Sequence, residues 1–153
     1  MGWELTIYGD AEKPPRPLGT REQVCAHFAA RLPGLRLAPV PQAFADHMRA
    51  KLKELGLVYH PALEGCYETP DIVVEFSCTN AEIISAISAN VRGNGDPLPA
   101  LRRLCAGTSW TLVEDASGRD VLATLGAGTA WGRFNQWRDR SISALIKPEK
   151  SNA

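Results

Sequence analysis

Residues 71–114 read DIVVEFSCTNAEIISAISANVRGNGDPLPALRRLCAGTSWTLVE, and their periodicity decides the fold. Ile72, Val74, Phe76 and Cys78 alternate with Val73, Glu75 and Ser77, the two-residue repeat of a strand with one buried face. Thr79-Asn80-Ala81-Glu82 supplies a turn, since Asn tolerates positive φ. Ile83, Ser85, Ile87, Ala89 and Val91 then alternate with Ile84, Ala86, Ser88, Asn90 and Arg92. Residues 83–92 are therefore predicted as a second strand, paired with the first in an antiparallel hairpin. A helix over 81–91 is the competing prediction, because Ala and Ile recur there; Ser, Asn and the β-branched residues weaken it.

Gly93-Asn94-Gly95-Asp96-Pro97 ends the hairpin, with Asp96 suited to an N-cap and Pro97 to the first helical position. Leu98, Leu101 and Leu104 or Cys105 give the next helix an apolar stripe, Arg102 and Arg103 its wet side, and Gly107 its stop. Trp110, Leu112 and Val113 carry a further strand. Asp115-Ala116-Ser117-Gly118 reads as a turn, from which Val121 to Leu125 return as another strand.

Working outward toward the N-terminus, Trp3, Leu5 and Ile7 alternate with Glu4, Thr6 and Tyr8 as a first strand. Residues 9–19 hold Pro14, Pro15 and Pro17 and read as a loop. Thr20 and Gln23 have capping-box spacing, so a helix opens at Thr20, lines up Val24, Phe28 and Leu32, and stops at Pro33-Gly34. Leu35 to Leu37 are predicted as a short edge strand. A second helix covers Pro41 to Leu55, with Phe44, Met48, Leu52 and Leu55 at helical spacing and Gly56 closing it. Leu57 to Pro70 is expected to be an irregular connection. Beyond the central stretch, Trp131, Phe134, Arg138, Ile142 and Leu145 predict a C-terminal helix.

Set in order, this is an α+β fold with an antiparallel sheet. A ferredoxin-like β-α-β-β-α-β succession carries a helical insert at about 35–70 and a C-terminal helical extension at about 126–147. Right-handed crossovers put the helices on one face. The 153 residues form one domain by length.

Composition narrows function by exclusion. Lys plus Arg equals Asp plus Glu at 17 each, so no global field recruits nucleic acid or an anionic membrane. No apolar run approaches the roughly 20 residues of a membrane span. The opening Met1-Gly2-Trp3-Glu4 lacks a basic-then-apolar leader, which predicts a cytoplasmic chain. Cys25, Cys66, Cys78 and Cys105 have no CxxC spacing, and three occupy apolar positions; reduced core cysteines are the expectation, with disulfides or a metal site as the alternatives.

No signature of known chemistry is present. Gly93-Asn94-Gly95 precedes a helix start and invites an anion. Asp96, however, places a negative charge where a phosphate would sit, so a turn and cap is the better reading. His60 and Cys66 share the 57–70 connection with Glu64 and Glu68. They leave open a small-molecule-binding or enzymatic domain using Tyr59–Glu68. The Arg49, Lys51 and Lys53 cluster reads as a solvated face, and less readily as a surface for an acidic partner or nucleic acid. Phe76 stands alone among aliphatics on its strand face, which argues against a sheet that stacks RNA bases. No cofactor and no metal are expected.

One segment carries a resemblance. Val91, Arg92, Gly93, Gly95, Asp96, Pro97, Pro99, Ala100 and Leu101 give VRGxGDPxPAL, followed by Trp110, Asp115 and Gly118. This resembles a family of small bacterial proteins, and through them the immunity proteins encoded beside polymorphic or type VI secretion toxins. It covers the central third; residues 35–70 and the Trp-rich C-terminal segment depart from it. The resemblance implies a non-catalytic protein that binds a cognate toxin and occludes its active site. Contacts would come from the departing parts: Arg49, Lys53, Tyr59, His60, Glu64, Tyr67, Glu68, Trp131 and Trp137. Tyr, Trp and Arg suit such anchors because they bury much surface at low entropic cost.

Overall fold

A computed structural model of the chain describes residues 2–9, 16–122 and Gly132. The elements are β1 (Trp3–Tyr8), β2 (Gly19–Thr20), α1 (Arg21–Arg31), β3 (Ala38–Pro39), α2 (Gln42–Glu54), β4 (Ala62–Glu68), β5 (Ile72–Thr79), β6 (Ile83–Ile84), β7 (Ala86–Gly93), α3 (Leu98–Cys105) and β8 (Thr111–Glu114). Among the described residues six strands form one antiparallel sheet in the order β3-β4-β5-β7-β1-β8, and β2 pairs with β6 beside it. The α+β class and the antiparallel sheet are as expected. The strand order differs from that of a four-stranded ferredoxin-like sheet, because the 35–70 insert adds β3 and β4 to the β5 edge.

Alternation does the work that the sequence assigns to it. Leu5 and Ile7 of β1, Val74 and Phe76 of β5, and Ile87, Ala89 and Val91 of β7 are all buried on one face. Val24 and Phe28 of α1, with Leu98, Leu101 and Leu104 of α3, close over them in a single core. Phe28 meets Phe76 edge to face, ring centroids 5.1 Å apart at 89°, the favoured geometry for an aromatic pair. The capping box at α1 is complete: Thr20 Oγ1 accepts from the Gln23 amide at 3.2 Å, and Gln23 Oε1 accepts from the Thr20 amide at 3.0 Å.

Several expectations require correction. The 83–92 strand is two strands. β7 pairs with β5 from Ile72↔Gly93 to Ser77↔Ser88, whereas Ile83–Ile84 turn aside to pair with Gly19–Thr20. The 57–70 connection is not irregular: residues 62–68 form β4, paired with β5 along its whole length. The edge strand after Leu37 is Ala38–Pro39. At α3 the helix starts at Leu98, whose amide donates to Asp96 Oδ1 at 2.9 Å, so Asp96 acts one residue ahead of the formal cap. Of α2 only Ala45 is buried; Phe44 and Leu55, expected on the core stripe, stand 50% and 68% exposed. The predicted C-terminal helix lies, apart from Gly132, outside the described residues, as do 123–125 of the predicted return strand.

Why β4 escaped notice is legible in its packing. Gly65 sits opposite Phe76 on the core side. A Cβ there would meet Arg36 O at 2.9 Å and the Leu35 and Leu37 methyls at 3.0 Å. The strand gives up a side chain so that residues 35–37 can lie on it.

Two stability predictions follow from these contacts. Gly65→Ala should lower unfolding free energy by about 1–3 kcal/mol through overpacking. Thr20→Ala should cost about 1 kcal/mol as a lost N-cap. Urea titration with circular dichroism reads both; a Gly65→Ala midpoint equal to wild type would refute the close approach.

Candidate functional site: the open sheet face and the insert

The strand pleat that sends Phe76 inward sends its neighbours outward. Glu64 and Cys66 of β4, Glu75 and Ser77 of β5, Ser88 and Asn90 of β7, and Glu4 and Thr6 of β1 all project from the face opposite α1 and α3. All of these but Thr6 line a shallow concavity of about 630 Å³. Its floor is small (Gly65, Ser77, Ser88, Ala89), and its walls carry Glu4, Glu64, Glu75 and Asp115. Arg92 at the rim forms an ion pair with Glu75. Thr6 donates to Asp115 at 2.6 Å. Asn90 Oδ1 is buried without a hydrogen-bond donor among the described residues and packs against Gly2. Among the described residues no three His, Cys, Asp or Glu side chains come together as a metal-ligand set.

The geometry separates the predicted site residues. Glu64 and Glu68 stand exposed on the open face. Tyr67 points the other way, half-buried toward the core, where its Oη accepts from Arg103 Nη2 at 3.1 Å. Arg49 and Lys53 lie exposed on α2, Arg49 paired with Asp46 at 3.1 Å. Tyr59 is half-buried and His60 exposed in the segment leading into β4. Trp131 and Trp137 lie outside the described residues.

The enzymatic reading of Tyr59–Glu68 does not assemble a nucleophile. Cys66 is exposed, and its Sγ donates to Glu68 Oε1 at 3.6 Å. Burial, then the charge and hydrogen bond of Glu68, push its thiol up from the ordinary value. A nucleophilic cysteine needs the opposite, a neighbour that favours thiolate, and His60 is not among the residues lining the concavity. Burial also pushes Cys78 up to about 11 and Cys105 up to about 12, as suits core thiols.

Residues that sequence reasoning passed over form the second surface. Phe44 and Leu55 share one shoulder of α2, eleven residues and about three turns apart. Leu57 and Val58 follow at 58% and 75% exposure. The exit is a Schellman turn: Gly56 takes φ +73°, its amide donates to Lys53 O at 3.0 Å, and the Leu57 amide donates to Leu52 O at 2.8 Å. The signal was present in the sequence as an apolar pair, Leu57-Val58, beyond the helix stop.

No family model, no curated protein and no solved structure matches this chain. No helix among the described residues is long and apolar enough to cross a membrane.

If Glu68 helps to keep Cys66 protonated, Glu68→Gln should lower its pKa and speed iodoacetamide labelling at pH 8 several-fold. Cys105 should stay unlabelled in the folded protein. Peptide mapping after a timed pulse checks both, and an unchanged Cys66 rate in Glu68→Gln would refute the coupling.

Proposed function

We propose that this chain is a cytoplasmic, non-catalytic protein of the immunity type, which binds a cognate toxin and covers its active site with the α2–β4 insert. One observation carries the reading. Four large apolar side chains, Phe44, Leu55, Leu57 and Val58, stand half or more exposed along one helix and its exit. Large side chains left in water in this number mark an interaction surface more often than a solvated face. Lys51, seven residues after Phe44 and four before Leu55, stands exposed on their side of α2 and borders the apolar centre with charge, as protein interfaces have. The ridge also lies in the part of the sequence that departs from the VRGxGDPxPAL scaffold, where recognition is expected to vary between relatives.

For the scaffold we infer a ferredoxin-like unit made of β1, α1, β5, β7, α3 and β8. The succession of these elements and the inner strand order β5-β7-β1-β8 support it. In this reading the insert is a recognition arm attached at the β5 edge, and the unit beneath it is a support.

The product of the adjacent gene is the partner to test. Co-expression should give a complex and protect cells. The double substitution Leu55→Asp and Val58→Asp should weaken binding at least 30-fold, about 2 kcal/mol, with the melting temperature within a few degrees of wild type. Failure of the wild-type chain both to co-purify and to protect would end the immunity reading; full binding by the double variant would move the interface elsewhere.

A further inference from the structure

We propose that the end of the helix layer carries an oxyanion-binding patch, formed by Arg31, Arg103 and Tyr67, that docks a carboxylate-bearing segment of a protein partner. The patch lies apart from the α2 ridge and does not depend on the immunity reading.

Three elements build it. Arg31 occupies the last turn of α1, and Arg102 and Arg103 the last turn of α3. Arg31 Nη1 donates to the main-chain oxygen of Arg103 at 3.3 Å. Arg103 Nη2 donates to Tyr67 Oη at 3.1 Å. Tyr67 is packed against the core from β4, so the acceptor that orients Arg103 is fixed. Arg21, Arg49 and Arg92 each have a carboxylate partner. Among the described residues, Arg31, Arg102 and Arg103 have none.

Placement near helix C-termini explains part of this arrangement, because carbonyl ends favour cations. It does not explain why Arg103 is held by a phenol oxygen from the sheet while Arg31 reaches over to the main chain of Arg103, neither with a carboxylate partner among the described residues. Each has five N–H donors in a planar fork, and each gives one to a neutral oxygen here. The remaining donors can grip a carboxylate bidentately. An anion at this point would meet roughly half a negative charge from each of the ends of α1 and α3 and two full positive charges from the arginines, so the balance favours it. Arg103 is exposed and Arg31 half-exposed. An exposed patch of this kind suits a side chain carried on a larger surface; free small ligands favour enclosed concavities.

Titrating the full chain with a tetraglutamate peptide at low ionic strength tests the proposal, with inorganic phosphate as the second arm. Saturable peptide binding is expected, with side-chain NMR shifts at Arg31 and Arg103. The Arg31→Gln/Arg103→Gln variant should lose at least tenfold in affinity. Tyr67→Phe leaves the charge unchanged but removes the oxygen that orients Arg103, and should lose several-fold; a merely electrostatic attraction would not register it. Thermal melts of each variant separate lost binding from lost fold, and Arg103→Lys, which keeps the charge and loses the fork, serves if Arg31→Gln unfolds. Absence of saturable binding, affinity unchanged in Tyr67→Phe and Arg103→Lys, or phosphate binding as tightly as the peptide would each overturn it.

Discussion

The edge-to-face contact of Phe28 on Phe76 is the constraint from which the rest follows. It fixes α1 over β5 and thereby fixes which parity of β5 faces the core. A strand has only two faces, and a slip of one residue exchanges them. With Phe76 inward, Glu75 and Ser77 must point out. Through the pairing Gly65↔Phe76 and Phe76↔Ala89, so must Glu64, Cys66, Ser88 and Asn90. The carboxylate-walled concavity is thus a consequence of core packing, and its polar lining is what the unburied half of an alternating pattern looks like once folded. Burial of an aromatic pair contributes on the order of several kcal/mol. Rearranging the open face would cost that contact first.

Much of this was legible in the sequence, because period-two alternation and capping chemistry are local. Trp3–Tyr8 is a strand with the predicted bounds, and the Thr20–Gln23 capping box forms as its spacing required. Ile72–Thr79 falls within a residue of prediction at each end. The width of the sheet was not legible. In β4 only Leu63 is fully buried and Gly65 replaces an inward side chain, so no apolar alternation marks it. Leu35 and Leu37 lie over Gly65 instead, a contact about thirty residues distant that periodicity cannot express. The break at Ser85 is similar in kind: Ile84 is buried in the second sheet through Gly19, and only the pairing partner distinguishes it from a continuous strand.

The same contrast between local and distant explains the predicted contact residues. Interface propensity selected Tyr67 for its side-chain type, and the pleat turned it inward toward Arg103. Helical spacing assigned Phe44 and Leu55 to a core stripe, yet a stripe is buried only if something covers it. In α2 the body of the protein covers Ala45 and partly covers Met48 and Leu52, the two members of that stripe nearer to Ala45 around the helix. Amphipathicity states that a helix has an apolar side. It does not state how wide the covered part is, and the uncovered remainder is where the ridge lies.

Composition conceals a last feature of this kind. The chain is charge-balanced at 17 against 17, which removes long-range steering as a whole-molecule effect. Balance in number is not balance in place. The open sheet face gathers Glu4, Glu64, Glu68, Glu75 and Asp115, of which Glu75 pairs with Arg92, while the helix ends gather Arg31, Arg102 and Arg103. Screening in physiological salt confines each field to about 8 Å. A partner approaching either surface therefore meets the local sign and not the sum. The topology produces this separation: helix C-termini attract the arginines to one layer, and the polar parity of the strands, left uncovered by α1 and α3, carries the carboxylates on the other.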